Sequence, residues 1–218
     1  MSRESLLFWC TVVMITLMQI RSKIYGVTAL KSLLITLPVS VLGLLSTYVM
    51  YYLENLEFGG KSFYGAVLFF PICLLPLTWV FQMPMNKMLD YATPAGFALL
   101  VPFKLNCYLG GCCGGKAIWY SLDGIPTHFP SQIVEMFTAM IITGILLYIE
   151  RKKAGKGLMY PLCLIIYGST RLILNEYRND NRIYLLNMTA GAFWSSISIL
   201  LGIIVLVVII QKNGRRDA

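Results

Sequence analysis

Long apolar stretches separated by short polar segments run through almost the whole chain. Seven of them approach the roughly 20 residues that an α-helix needs to cross the hydrocarbon core of a bilayer. They are Leu6–Ile20, Val27–Leu53, Phe63–Gln82, Tyr91–Leu109, Ser131–Ile149, Gly157–Asn175 and Met188–Ile210. The pattern predicts an all-α, polytopic membrane bundle of about seven transmembrane helices, with residues 1–218 forming a single integral membrane domain.

Two of these stretches are weaker than the rest. Leu6–Ile20 is short, and with Arg3 before it the segment has some features of a signal peptide. No small-residue cleavage site precedes Arg21, so we prefer a retained first helix. Tyr91–Leu109 is interrupted by Pro94, Pro102 and Lys104. Broken backbone at membrane depth is tolerated only where protein or a cavity covers it.

Composition supports the membrane assignment. Apolar residues make up 57% of the 218 residues, only 13% are charged, and the mean hydropathy is +0.70. A soluble domain of this length needs far more polar surface. The net charge of +8 could indicate a nucleic-acid partner, but the basic residues lie between apolar stretches and do not form one face. Their distribution favours a role in topology and in contact with anionic lipid, with no nucleic-acid partner.

The basic residues also predict the orientation of the bundle. With the N-terminus outside and the C-terminus cytoplasmic, 11 of the 18 basic residues fall on the cytoplasmic side, in agreement with the positive-inside rule. These are Arg21, Lys23, Lys31, Lys87, Arg151, Lys152, Lys153, Lys156, Lys212, Arg215 and Arg216. In this orientation the cytoplasmic ends of the helices carry few polar residues besides the basic ones that set the topology.

Polar and glycine residues of five distant segments then share the outer side. The segments are 59–65, 106–116, 130–135, 167–178 and 187–189. One outward-facing polar site is the economical explanation for this convergence.

Two cations lie inside predicted spans and suggest what the site binds. Lys104 and Arg171 are placed where a phospholipid phosphate can meet them, and a charge within a membrane span usually marks function. Arginine offers a planar fork that matches phosphate, and lysine offers a point charge. Alternatively, the two form structural ion pairs with Glu135 and Glu176, or Lys104 extends its stem to the interface.

Several motifs in this outer region resemble the prolipoprotein diacylglyceryl transferase family. The most specific are Pro130-Ser131-Gln132 followed by Glu135, and Tyr167-Gly168 followed by Arg171 and Arg178. The others are Gly60-Lys61-Ser62-Phe63-Tyr64-Gly65, the segment 105–116 with its Gly-Cys-Cys-x-Gly turn, and Asn187-Met188-Thr189-Ala190-Gly191. The resemblance covers about residues 58–201.

The resemblance implies a multi-pass enzyme of the bacterial cytoplasmic (inner) membrane. Members of the family move the diacylglyceryl group of phosphatidylglycerol to the thiol of a lipobox cysteine in a prolipoprotein, near the outer leaflet. Glycerol phosphate is the leaving group, and neither a cofactor nor a metal is expected. The implied partners are therefore a phospholipid and a secreted lipoprotein precursor, or another thiol acceptor.

The resemblance also implies roles for individual residues. Arg171, Tyr64 and Tyr167 are the candidate catalytic residues. The candidates for binding the lipid phosphate are Lys104, Arg171, Arg178, Gln132 and Ser131. The expected supporting residues are Glu135, which would hold Arg171, together with Asn106, Gly60 and Gly65.

Departures from the family pattern motivate a second hypothesis. Tyr64 stands where a histidine is usual, Lys104 replaces an arginine, and Asn175 occupies the place of an acid. The chain could therefore be a non-catalytic or repurposed homologue that binds lipid or a partner, or a transferase with a different acceptor. If it is an enzyme, the candidate bases are Tyr64 and His128. The Tyr64 hydroxyl is then expected within reach of Lys104 or Arg171, of Gln132, or of a bound phosphate.

The cysteines of the outer segment permit a metal site but do not favour one. Cys107, Cys112 and Cys113 together with His128 could bind zinc, although no C-x-x-C pair is present. Small thiols among glycines are more typical of close backbone packing, so no metal site is predicted.

Overall fold

Helices dominate the chain, as the apolar pattern predicts. The computed structural model describes residues 3–111, 114–120, 126–179 and 183–217. Its helices are α1 (Arg3–Ser22), α2 (Ala29–Asn55), α3 (Phe63–Leu68), α4 (Phe70–Val80), α5 (Met85–Ala98), α6 (Leu100–Leu109), α7 (Ser131–Lys153), α8 (Met159–Asn175) and α9 (Ala190–Asp217), with a 3₁₀ turn at Lys23–Tyr25. Two antiparallel strand pairs were not predicted: β1 (Ala117–Tyr120) with β2 (Pro126–His128), and β3 (Ile183–Leu185) with β4 (Met188–Thr189).

Three of the described helices are long and apolar enough to cross a membrane. They are Ala29–Asn55, Ser131–Lys153 and Ala190–Asn213. Large apolar side chains remain exposed along them, for example Val41 on α2, Ile141 on α7 and Ile204 on α9. An integral membrane protein is thereby supported, while the full set of seven spans and the orientation of the termini stay predictions.

Two of the predicted spans are each built from two helices, and prolines explain the breaks. Pro71 lies in the first turn of α4, where it has no N–H to give to the Val67 carbonyl of α3. The Tyr160 hydroxyl donates to that carbonyl instead, at 3.0 Å. Pro102 lies likewise in the first turn of α6, just after the break between α5 and α6. Irregular backbone is thus paired within the protein, as a bilayer requires.

Glycines allow the helices to approach closely at two contacts, one between α2 and α3 and one between α8 and α9. A Cβ on Gly65 of α3 would lie 2.0 Å from the Ser46 carbonyl of α2, and one on Gly168 of α8 would lie 2.9 Å from the Ser195 carbonyl of α9. No side chain fits in either place. Gly65, predicted as a supporting residue, therefore has a packing role.

Arg21 corrects one expectation from the sequence. It was assigned to topogenic charge, but its side chain is buried and its Nε donates to both carboxylate oxygens of Glu150, at 3.0 and 2.8 Å. Tyr25 donates to the same carboxylate at 2.6 Å. The helix ends near Arg151 therefore hold a buried ion pair as well as exposed lysines, because the arginine reaches inward between α5 and α7.

The same guanidinium also replaces a backbone hydrogen bond that a proline removes from α5. Pro94 in α5 cannot donate to the Asp90 carbonyl, and Arg21 Nη2 donates to it at 2.8 Å. Arg21 Nη1 donates to the neighbouring Tyr91 carbonyl at 2.6 Å. One side chain of α1 thus joins α5 to α7.

Asp90 extends this network to α8. Its carboxylate accepts from the backbone N–H groups of Gly157 and Met159, at 2.8 and 2.9 Å. The first N–H groups of a helix have no partner within the helix, and a carboxylate at that end stabilises them. Asp90 therefore fixes the start of α8, which carries Arg171 near its other end.

We expect removal of Arg21 to destabilise the bundle strongly. Arg21→Gln leaves Glu150 buried without its cation, which typically costs about 3–5 kcal/mol. Thermal unfolding of the purified protein in detergent measures the effect, with the exposed Lys152→Gln as the matched control. A melting temperature for Arg21→Gln equal to that of the control would contradict a structural role for the ion pair.

Candidate functional site

Glu135 lies at the opposite end of α7 from Glu150, and three cations surround it. Lys104 Nζ of α6 is 2.5 Å from Glu135 Oε2, while Arg171 Nη1 of α8 and Arg178 Nη1 approach Oε1 at 2.9 and 2.8 Å. The expected contact between Glu135 and Arg171 is therefore present. One carboxylate balances only one of three cations, so the cluster keeps an excess of positive charge.

The cluster is largely shielded from the surroundings. Glu135 is 3% exposed, Lys104 7% and Arg171 9%. Burial weakens screening by water and salt, so the excess charge attracts an anion more strongly than the same residues on a surface.

A backbone bridge brings Arg178 to the cluster. Arg178 follows the end of α8 and pairs with Gly115 in an isolated antiparallel bridge. The adjoining Lys116 N–H donates to the Tyr177 carbonyl at 2.9 Å, and the Gly115 N–H donates to the Phe129 carbonyl at 3.0 Å. A Cβ on Gly115 would lie 2.5 Å from that Phe129 oxygen. Only glycine allows the segment after α6 to lie against the end of α8.

The start of α9 is shaped around Arg171. A Cβ on Gly191 would lie 2.8 Å from Asn175 Oδ1 and 3.8 Å from Arg171 Nη2. Asn175 Oδ1 accepts from the Thr189 hydroxyl at 3.1 Å. Asn175 stands where the family pattern suggested an acid, and an amide here adds no negative charge to offset the cations.

The three cations line a polar cavity of about 1000 Å³. Its walls come from α2, α3, α6, α8, the start of α9 and the two strand pairs. Tyr64, Tyr167 and His128 also line it, as do Glu54 and Lys61. The volume is at the upper end of the range usual for ligand pockets.

An apolar cavity of about 350 Å³ adjoins the polar one. Its walls include Leu6, Met14, Val39, Phe70 and Phe97. Three residues line both cavities: Lys61, Phe63 and Phe103. A charged compartment and an apolar compartment therefore meet at a shared wall, which suits an amphiphilic ligand.

The Tyr64 hydroxyl has a different partner from those expected. It lies 2.5 Å from Ser195 Oγ, which in turn donates to the Gly191 carbonyl at 2.6 Å. Because Ser195 uses its hydrogen on that carbonyl, Tyr64 donates its own hydrogen to Ser195. The expected contact with a cation or with Gln132 is thus replaced by a serine of α9. This serine carried no recognisable motif in the sequence.

Two of the remaining predicted residues, Tyr167 and Gly60, are packed against aromatic rings. Tyr167 is buried between Tyr64 and Phe97, with ring centroids at 5.7 and 5.2 Å. A Cβ on Gly60 would overlap the Tyr51 ring at 2.2 Å, so this glycine is a packing residue.

Three predicted residues are not among the described residues that line the polar cavity. Ser131 and Gln132 are buried in the first turn of α7, and Asn106 lies on α6. Their predicted contact with phosphate stays a prediction.

Two residues that sequence reasoning left out also line the polar cavity. Lys61 lies over the Tyr48 ring at 5.1 Å, and Glu54 accepts from the Ser62 hydroxyl at 2.8 Å. Both are charged and lie close in sequence to Gly59 and Gly60, and this proximity to the motif could have identified them as candidate site residues. Lys61 was named only as part of this motif and was given no role.

The possible zinc ligands that the sequence offered fall partly outside the described residues. Cys112 and Cys113 lie in the segment that the structure does not describe, while Cys107 is buried on α6. Within the described ranges, no group of three or more His, Cys, Asp or Glu side chains is arranged to hold a metal ion.

Comparison with known proteins decides the family. The model of the prolipoprotein diacylglyceryl transferase family matches residues 6–208. The chain belongs to this family. The match is wider than the region 58–201 that the motifs alone covered, and it includes α1 and α2.

Relatives in this family carry the name phosphatidylglycerol–prolipoprotein diacylglyceryl transferase. The protein of Clostridium tetani is 31% identical over 55% of this chain and 52% of its own length. A second, numbered 2 in Clostridium perfringens, is 29% identical over 74% of this chain and 67% of its own length. That of Chlorobaculum tepidum is 31% identical over 72% and 58%. The matched part of the chain thus spans about half to two thirds of these relatives.

We expect Glu135→Gln to destabilise the protein in a way that an anion reverses. Removing the carboxylate leaves two buried cations and the partly buried Arg178 without a counter-charge, at a cost of about 3 kcal/mol. Because an anion that binds only the folded state stabilises it, added inorganic phosphate should restore part of the lost melting temperature. The exposed Glu176→Gln is the control, and its melting temperature should respond to phosphate as the parent does. An unchanged melting temperature in Glu135→Gln would show that the carboxylate is not required to balance the cations.

Proposed function

We propose that the protein is a membrane transferase that moves the diacylglyceryl group of phosphatidylglycerol, or of a related glycerophospholipid, to an acceptor thiol. The acceptor in this proposal is the lipobox cysteine of a prolipoprotein, reached from the outer leaflet. The observation that carries it is the buried cluster of Lys104, Arg171 and Arg178 on the wall of a large polar cavity.

The excess charge of the cluster suits a departing phosphate. When the bond between the glycerol carbon and the phosphate oxygen breaks, negative charge grows on the phosphate. Cations that are already in position stabilise this charge without reorganising, which is commonly the largest catalytic contribution. Glu135 holds both arginines through the same carboxylate oxygen, so their spacing is set before the lipid arrives.

The pair of cavities suits the two halves of a phospholipid. In our proposal the headgroup and phosphate occupy the polar cavity, and an acyl chain enters the apolar cavity past Phe63 and Phe103. Burying the apolar chain contributes binding energy roughly in proportion to the area removed from water. Lys61, on the wall of both cavities, lies where the polar and apolar parts of the lipid join.

Orientation completes the proposal. With seven spans and the N-terminus outside, the Glu135 end of the bundle lies at the outer leaflet of the bacterial cytoplasmic membrane. A secreted precursor can reach that side, and the lysines of the Arg151 end remain cytoplasmic.

We expect Arg171→Ala to lose about a hundredfold in transfer rate. Loss of one charge-assisted contact that forms in the transition state costs on the order of 3 kcal/mol. Arg171→Lys should be intermediate, because it keeps the charge and loses the fork. The assay follows release of glycerol phosphate from labelled phosphatidylglycerol in the presence of a lipobox peptide.

The matched control for this assay is Arg151→Ala, an exposed arginine at the opposite end of α7. Its transfer rate should equal that of the parent. If a stably folded Arg171→Ala protein turned over at nearly the parent rate, Arg171 would have only a structural role, as the ion-pair partner of Glu135.

The orientation is tested by labelling single cysteines in a background that lacks the native ones. Lys61→Cys and Lys116→Cys should react with a membrane-impermeant maleimide in intact cells, because both positions lie at the proposed outer side. Lys153→Cys should react only after permeabilisation. Reaction of Lys153→Cys in intact cells would contradict the proposed orientation, and with it the placement of the site at the outer side.

One observation supports the second candidate, a homologue that binds lipid without turnover. The Tyr64 hydroxyl donates to Ser195, so in this arrangement it does not accept a proton from a thiol. The same assay separates the two functions. Saturable binding of phosphatidylglycerol without release of glycerol phosphate would support the binding protein.

A further inference from the structure

His128 is the only histidine of the chain, and its side chain lines the polar cavity together with the three cations. It lies on β2, whereas Tyr64 lies on α3. Histidine is the side chain whose ordinary protonation equilibrium falls between pH 5 and 8, which makes it the commonest acid or base in enzymes.

A backbone contact determines which imidazole nitrogen is available. His128 Nδ1 lies 3.0 Å from the Gly115 carbonyl oxygen. A carbonyl only accepts, so Nδ1 carries the hydrogen of this bond, and the lone pair of the neutral ring is on Nε2. The imidazole is thus held in the tautomer that leaves Nε2 ready to take a proton.

The same glycine connects His128 with the cation cluster. Gly115 pairs through its backbone with Arg178, whose Nη1 is bound to Glu135. Paired residues of antiparallel strands have Cα atoms about 4.5–5.5 Å apart. The residue that orients the imidazole is therefore the direct neighbour of a residue that holds the phosphate in the proposed function.

Other groups on the cavity wall are less suited to accept a proton from a thiol. Tyr64 donates to Ser195, and Glu135 is already ion-paired with three cations and does not line the cavity. Among the described residues, Glu54 is the carboxylate that lines the cavity, and it accepts from Ser62. In the part of the chain that the structure describes, the charged groups that share the cavity or the hairpin with His128 are Glu54, Lys61, Lys104, Lys116, Arg171 and Arg178.

We infer that His128 is the general base that takes the proton of the acceptor thiol. This inference rests on the proposed function. As Nε2 takes the thiol proton, the sulfur forms a bond to the glycerol carbon of the diacylglyceryl group. The bond from that carbon to the phosphate oxygen breaks, and glycerol phosphate leaves with the electron pair. The imidazolium then gives its proton to water, and the products are the thioether and glycerol phosphate.

The test compares the parent with His128→Asn in the full-length protein in detergent. The asparagine amide can still donate to the Gly115 carbonyl, so the strand pairing is kept while the base is lost. We expect the transfer rate to fall about a hundredfold or more, the usual contribution of a general base. Binding of labelled phosphatidylglycerol should stay within about twofold of the parent, and it reports whether the variant is folded.

Glu54→Gln is the matched comparison, since it removes the carboxylate of the cavity wall. A loss of about a hundredfold in transfer rate in Glu54→Gln, with a parent-like rate in His128→Asn, would assign the base to Glu54.

A more acidic acceptor separates a missing base from a distorted site. A lipobox peptide with selenocysteine in place of cysteine ionises more readily and depends less on a base. The deficit of His128→Asn should therefore shrink strongly with this peptide. An equal deficit with both peptides, or a parent-like rate with cysteine, would overturn the inference. If the parent itself releases no glycerol phosphate with the cysteine peptide, the proposed function fails, and the inference fails with it.

Discussion

Glu135 is a single buried carboxylate that accepts from Lys104, Arg171 and Arg178, and the arrangement of the site depends on it. Without a counter-charge, three cations at this depth repel one another and lose hydration, so the segments that carry them would separate. With one counter-charge the cluster is held together but not neutralised. The remaining positive charge faces a cavity, and an anionic group in that cavity would be attracted to it.

A second buried network, around Glu150, fixes the other end of the same helix. The two carboxylates are 15 residues apart on α7, or about 22 Å along the helix axis. Arg21 satisfies carbonyls near Pro94, and Asp90 satisfies the N–H groups of Gly157 and Met159 at the start of α8. Since α7 and α8 are thus anchored at one end, the distance between Glu135 and Arg171 at the other end is well defined. Broken helices are tolerated in such a structure because side chains replace the missing backbone bonds.

The contact between the two cavities connects this architecture with lipid chemistry. Phe63 lies within the Gly60 motif, and Phe103 lies beside Lys104, so each joins the apolar wall to the polar one. Gly115 joins His128 and Arg178 at the polar cavity, because it accepts from the imidazole and pairs through its backbone with Arg178. In the proposed function, the phosphate and an acyl chain of one lipid would occupy these two adjoining cavities.

The sequence by itself determined that the protein is a helical membrane protein, since hydropathy and length depend only on local composition. It also indicated Lys104, Arg171 and Glu135, because charges within apolar stretches are costly and need a reason. Motif order alone was enough to suggest the family. These features are all local, and a single chain displays them without any knowledge of its contacts.

Other features were decided only by the tertiary structure. Arg21 resembled a topogenic charge until its partner Glu150, 129 residues away, was brought beside it. Tyr64 was expected to meet a cation, but the close approach of helices around Gly191 and Gly168 gives it Ser195 instead. His128 gained its orientation from a glycine that pairs with Arg178. The physical reason is common to all three. The partner of a buried polar group is chosen by which segments pack together, and that choice is made by the whole core and not by neighbours in the sequence.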